Sequence, residues 1–144
     1  MAFYNYNNPA LYHLRVVHRA IKRKVDIDNH ISAKSQKLLI YANKEHILVN
    51  TTEIEYIKAA GNYSEIFLVN SQRLFTSKGL ADIERALFSG CLMRVHHSYL
   101  VNPDQVQALT SNNTLRLQSQ TIISVSRRKL KEIKNTLTAL TKNK

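Results

Sequence analysis

The sequence predicts a mainly β chain with flanking helices, and three observations carry that expectation. Between residues 37 and 125 short apolar runs rich in Ile, Leu, Val, Tyr and Phe recur, separated by Asn, Ser and Gly turn residues. Apolar positions at alternating spacings of three and four, the mark of one helix face, are confined to the two ends and one short central stretch. At 144 residues and 44% hydrophobic, the chain can bury a core without disulfides or metal.

In chain order, Asn8-Pro9 is a helix start, with Asn8 as N-cap and Pro9 at the first helical position. Leu11, Leu14, His18, Ile21 and Val25 then trace one face of a helix ending near Asp26-Ile27-Asp28-Asn29. Arg15, Arg19, Lys22, Arg23 and Lys24 cover its other faces. The helix is expected to pack on the domain or on its twin in a dimer; a basic helix touching DNA or membrane is the alternative. Residues 29 to 36 look like a linker, so the chain divides into a helix with linker at 1–36 and a domain at 37–144.

Past the linker the period changes. Leu38 to Tyr41 and Ile47 to Val49 read as strands around an Asn43-Lys44-Glu45-His46 turn. Glu53 to Ala59 alternates, with Ile54, Tyr56 or Ile57 turned inward, and Tyr63 to Val69 is a further strand. Ala60-Gly61-Asn62 joins these two, Gly61 permitting positive φ. Asn70-Ser71 turns the chain into Arg73-Leu74-Phe75. A helix follows, with Ser77 as N-cap, Leu80, Ile83 and Leu87 as its stripe and Gly90 as its stop. Gln105 to Leu109, Thr114 to Leu117 and Thr121 to Val125 are expected strands, turned by Ser111-Asn112-Asn113 and Ser119-Gln120. A last helix, capped by Ser126, buries Leu130, Ile133, Leu137 and Leu140.

Charge narrows the partners. The formal net charge is +11, a balance that favours polyanions: DNA, RNA or an anionic membrane face. The lone Cys91, inside the apolar run Cys91-Leu92-Met93, gives neither a disulfide framework nor a thiolate zinc site. Met1 to Pro9 is too polar for a signal peptide, and no run approaches the roughly 20 apolar residues of a membrane span. A soluble cytoplasmic protein is expected. No metal site, cofactor or catalysis is expected either. No histidines form a helical i, i+4 pair, no Gly-rich GK[ST] run exists, and the spacing of acidic residues asks for no acid–base pair.

The polar groups that could do chemistry fall in three loops. One is Gly61-Asn62-Tyr63-Ser64; another is the nonapeptide Arg94 to Asn102, RVHHSYLVN. In that stretch Val95, Leu100 and Val101 can anchor the backbone, and His96 and His97, as neighbours in an extended segment, are expected on opposite faces. The third is Ser126-Arg127-Arg128-Lys129, where cations stand at a helix N-terminus that already attracts anions. Asn and His can bond base edges and Arg can hold guanine through two bonds, while Ser and Lys more often hold phosphates.

RVHHSYLVN resembles the R-x-H-x-S-Y-x-V-N pattern of the LytTR DNA-binding domain family. Ile54 to Tyr63 is similar to the family's I-x-Y-I-x-A-x-x-N-Y, and Ile123 to Arg128 to its I-x-V-S-R-R. The blocks come in the family's order and cover about residues 37 to 141. The resemblance implies small β-sheets stacked in an elongated body, with sequence-specific binding to double-stranded DNA, commonly at paired direct repeats, through loops that enter successive major grooves of a bent duplex. It implies base reading by His97 and Arg128, and by Asn62, Tyr63 and Ser64 in the first loop. Arg94, His96, Ser98, Lys78, Ser126, Arg127 and Lys129 would hold phosphates or set the loops. His97 departs from the Arg or Asn commoner at that place, so the preferred base and a pH dependence are open to change.

The 36 residues ahead of the resemblance are too few for the receiver domain that response regulators of the family carry. The expectation is a stand-alone bacterial transcription regulator, self-associating on DNA or contacting a regulatory protein through Leu11, Leu14, Ile21 and Val25. The alternative is a protein-interaction antagonist that pairs with another LytTR regulator through the N-terminal helix. A sequence-indifferent RNA or DNA binder would normally show more stacking aromatics on its basic face than Tyr63 and Tyr99.

Overall fold

The computed structural model describes residues 35–142. The chain divides into two units, Met1–Ala33 and Lys34–Lys144. The expected N-terminal helix and its face of Leu11, Leu14, Ile21 and Val25 lie outside the described residues.

Among the described residues, ten strands form three antiparallel sheets. In the first, β1 (Lys37–Ala42) pairs with β2 (Glu45–Asn50) across Asn43 and Lys44, both at positive φ (54° and 67°). That is the φ pattern of a type I′ hairpin turn, so the turn is tighter than the four residues expected. A 3₁₀ turn, Thr51–Glu53, leads into the second sheet. It comprises β3 (Ile54–Ala60), β4 (Tyr63–Leu68), β5 (Arg73–Thr76), β6 (Met93–His96) and β7 (Tyr99–Val101), in the order β5-β4-β3-β7-β6. The third sheet is β8 (Val106–Leu109), β9 (Thr114–Leu117) and β10 (Ile122–Ser124), with β9 central.

Both faces of the five-stranded sheet carry buried side chains, and the two-residue period of its strands sorts them between two cores. Ile57, Ile66 and Leu100 face the first core, with Leu38, Ile40 and Val49 of the first sheet and Leu80 and Ile83 of helix α1 (Leu80–Ala86). Met93, Val95 and Val101 face the second, with Leu115, Leu117 and Ile123 of the third sheet and Ile133 of helix α2 (Leu130–Lys142). Leu100 and Val101, adjacent in sequence, thus anchor the same strand to opposite layers, each fully buried. Each such side chain contributes about 1.5–3 kcal/mol through burial.

The short helix departs from expectation at both ends. Gly79, not Ser77, occupies its N-cap in extended conformation without a side-chain bond, and the helix stops at Ala86, ahead of Leu87 and well before Gly90. Leu87 still packs against the first core from outside the helix. Ser126 does stand at an N-cap, but of a 3₁₀ turn, Arg127–Lys129, that precedes α2, and its hydroxyl makes no cap bond.

Candidate nucleic-acid interface

The register of the central sheet carries several candidate loops to one of its ends. Lys58 of β3 lies opposite Glu65 of β4 and Tyr99 of β7, Tyr99 opposite His96 of β6, and Glu65 opposite Phe75 of β5. Just beyond that row come the turn of His97 and Ser98, the β3–β4 hairpin tip, and the exit of β5 toward Lys78. The hairpin reaches furthest, because Ala60 and Tyr63 still pair beyond the level at which β7 begins. The basic turn joins the row next to β6, where the Ser126 N–H donates to the Val95 carbonyl at 2.8 Å. From β5 to β6 is four inter-strand steps, roughly 19 Å.

The hairpin tip is Gly61-Asn62. Gly61 has φ +64°, and nothing lies within 4 Å of where a Cβ would stand, so the position needs the backbone angle and not the space. Positive φ at the first of two turn residues is the type II′ pattern, which leaves Asn62 and Tyr63 exposed at the tip. Ser64 behaves differently from what was expected of it. One residue into β4, it turns to the core side, is 0% exposed, and its hydroxyl has no partner. Among the candidate base readers of this loop, only Asn62 and Tyr63 stand at the surface.

The nonapeptide is mostly scaffolding. Arg94 bends over its own turn: Nε donates to the His96 carbonyl at 2.7 Å and Nη2 to the His97 carbonyl at 2.6 Å. Its Nη1 pairs with Glu84 Oε2 of α1 at 2.7 Å. His96 Nδ1 accepts the Ser98 N–H at 3.2 Å, which fixes Nδ1 as the unprotonated nitrogen. Burial, with His97 and Arg94 beside it, holds the His96 pKa below the usual 6.5. Asn102 is buried; it donates to the Ile54 carbonyl at 2.8 Å and accepts the Asp104 N–H at 3.0 Å. These bonds occupy Arg94, His96 and Asn102 inside the fold.

His97 alone of the stretch is exposed. Its ring does not oppose that of His96, as extended geometry implied; the turn brings the two centroids to 4.1 Å at an interplanar angle of 38°. A β-bulge between Arg94 and His96, together with the turn at His97 and Ser98, breaks the alternation on which the expectation rested.

Arg127 and Arg128 are exposed, and neither guanidinium has a hydrogen-bond or ion-pair partner among the described residues. Lys129 pairs with Glu132 at 3.1 Å, and the exposed Lys78 donates to the Leu39 carbonyl at 3.1 Å. Lys58, absent from the sequence candidates, is an exposed cation beside the His96–Tyr99 row. The alternation of Glu53 to Ala59 was the signal that could have found it, since Lys58 shares its sheet face with Tyr56. Among the described residues no group of three or more His, Cys, Asp or Glu side chains could hold a metal. None of their helices is long and apolar enough to cross a membrane.

Residues 44–138 match the family described as LytTr DNA-binding domain. The chain belongs to the LytTR family. It is 28% identical over 106 residues to the heme-containing CO-sensing transcriptional regulator RcoM 2 of Paraburkholderia xenovorans (strain LB400), a match covering 70% of this chain and 39% of that protein. The chain thus spans well under half the length of this curated relative. Among solved structures it is similar to the LytTr DNA-binding domain of a Bacillus cereus protein described as a methyl-accepting/DNA response regulator. There the TM-score is 0.59 at 17% identity, over 70% of this chain and 95% of that one. The likeness establishes the fold: several small antiparallel sheets in a mainly β domain.

Proposed function

We propose that this LytTR chain is a transcription regulator that binds DNA in a sequence-specific way, with no catalytic step of its own. The observation that carries the reading is the unpaired pair Arg127 and Arg128, exposed on the turn tied to β6 beside His97. Side chains held by no internal partner, at the positive dipole end of a helix, suit an anionic duplex. Arg128 and His97 read base edges in this proposal, together with Asn62 and Tyr63. Arg127, Ser126, Lys129 and Lys78 hold phosphates, while Arg94, His96 and Ser98 set the loop that presents His97.

The width of the row supports engagement of more than one groove. Its span of roughly 19 Å exceeds the major-groove width of about 12 Å. A footprint of that width reaches past a single groove, and in this proposal two protomers occupy paired direct repeats. Ser64 drops out of the reading set because its side chain is enclosed.

The test is selection of bound duplexes from a random pool, followed by titration of the winner against scrambled DNA at several salt concentrations. The expected outcome is a recurrent pair of spaced half-sites bound far more tightly than scramble. Equal affinity for both, with a steep salt slope, would reduce the chain to a basic protein on a polyanion.

A further inference from the structure

Beside the basic turn lies a groove that neither the family pattern nor the sequence candidates assign. Leu109, Thr110, Ser111 and Asn113 of the β8–β9 turn line it on one side, and Leu130 and Lys134 of α2 on the other. Its volume is about 230 Å³. That is below the roughly 300–1,000 Å³ of pockets that enclose small molecules, but ample for a tetrahedral oxyanion.

Its chemistry is polar where it opens. The Lys134 ammonium has no partner among the described residues; its backbone carbonyl accepts the Thr138 hydroxyl at 2.7 Å. The turn is rigid: the Thr110 N–H bonds the Thr114 carbonyl at 2.8 Å, the two threonine hydroxyls meet at 2.7 Å, and Asn113 sits at φ 57°. Ser111 and Asn113 therefore stand on a fixed backbone with hydroxyl and amide donors, facing a cation across the groove. The lining leucines, Leu109 and Leu130, add no competing acceptor side chain.

Its position relative to the proposed readers is fixed by hydrogen bonds. Val125 donates to the Asn113 carbonyl at 3.0 Å, and the next residue, Ser126, donates to Val95 at 2.8 Å. The 111–113 turn therefore flanks the Arg127–Lys129 turn on the side away from His97. Lys134 is one helical turn beyond Leu130, about 6 Å along the axis. A side chain that reads a base edge in a major groove has a phosphate wall on either side of it.

We propose that this groove seats a DNA backbone phosphodiester, held by Lys134 and by the Ser111 and Asn113 side chains, and so fixes the depth at which Arg128 enters the major groove. The inference rests on the DNA-binding reading above and extends its footprint to a fourth loop. The experiment uses the full chain on its selected duplex, with Lys134→Gln and Asn113→Gly. The latter removes the amide but keeps a residue suited to positive φ. Removing one phosphate contact lowers the slope of log affinity against log salt by about 0.9, which is roughly an eightfold loss near 0.1 M salt. That loss is expected on selected and scrambled DNA alike for Lys134→Gln, and a smaller one for Asn113→Gly. A scan with single neutral methylphosphonates should show one position per half-site, next to the base read by Arg128, whose effect vanishes in Lys134→Gln.

An unchanged slope and an unchanged phosphate map in Lys134→Gln, with Arg128→Ala still losing specificity, would overturn the groove and leave the DNA-binding reading standing. Wild-type protein that fails to discriminate selected from scrambled DNA would overturn that reading and this inference with it. In a third arm inorganic phosphate replaces DNA. Chemical shifts confined to residues 110–114 and 134, without any effect of Lys134→Gln on DNA, would assign a free-anion site and refute the phosphodiester.

Discussion

Replacing Arg94 by methionine separates a scaffold from a contact. Methionine keeps an unbranched apolar stem of similar reach, so packing against the turn is largely preserved and the guanidinium bonds are lost. Two of those bonds go to the His96 and His97 carbonyls at 2.7 and 2.6 Å, from a side chain only 20% exposed. Hydrogen bonds to charged groups are worth about 1.5–3 kcal/mol each, less where water can replace the donor. The Glu84 bond adds little, because that carboxylate is 45% exposed. The expected loss is therefore about 2–4 kcal/mol in unfolding free energy, measured by urea denaturation. On DNA the consequence should be selective. A loosened turn forfeits most of the 1–3 kcal/mol of discrimination available to His97, about 5- to 150-fold on the selected duplex, while scrambled DNA binds as before. A double-mutant cycle with His97→Ala then decides the mechanism. If Arg94 acts by positioning His97, the two effects on specificity are strongly non-additive. Additive effects, or a parallel loss on scrambled DNA with a lower salt slope, would refute this and make Arg94 a phosphate ligand.

Arg128→Ala should weaken binding to the selected duplex by about 1–3 kcal/mol and relax preference at one base position; equal loss on scramble would remove it from the readers. Ser64→Ala should leave sequence preference unchanged and stability equal or higher, because it deletes a buried hydroxyl without a partner; a shifted binding motif would return Ser64 to the interface. Acidification should destabilise the fold through His96. Its folded pKa lies below 6.5, so the unfolded chain binds the proton more readily; stability is fully present above pH 6.5 and falls as pH drops toward the folded value. Urea midpoints followed from pH 7.5 to 5 should show that decline, and His96→Gln should flatten it.

How much of this was legible beforehand depended on whether a residue's role was local. Eight of the ten strands were legible as short apolar or alternating runs between turn residues, β6 and β7 of the nonapeptide being the exceptions, and the three-and-four spacing of Leu130, Ile133 and Leu137 gave the last helix. The ends of α1 were not, because Gly79 caps it through backbone geometry and Leu87 packs from beyond its last turn. The rings of His96 and His97 were assigned to opposite faces by a rule valid for a continuous strand. A bulge and a turn intervene, and both come from the pairing of β6 with β7. Ser64 was not legible for a related reason. Which face of β3 and β4 is enclosed near the hairpin tip follows from what packs on the sheet, not from polarity.

The same distinction bears on why RVHHSYLVN carries so much family information while so little of it reaches the surface. Its polar side chains are spent on backbone groups: Arg94 on two carbonyls and His96 on the Ser98 N–H close the β6–β7 turn, while Asn102 ties the end of β7 to Ile54 at the start of β3. A residue committed to three bonds cannot vary without loosening the turn. The exposed residue between them can change with little effect on the backbone that holds it. His97 occupies that free position, and the chain departs there from the family's commoner Arg or Asn. If the division holds, His97→Arg and His97→Asn should fold with wild-type stability yet select different duplexes from a random pool. Unfolding, or an unaltered selected sequence, would show that His97 belongs to the scaffold too.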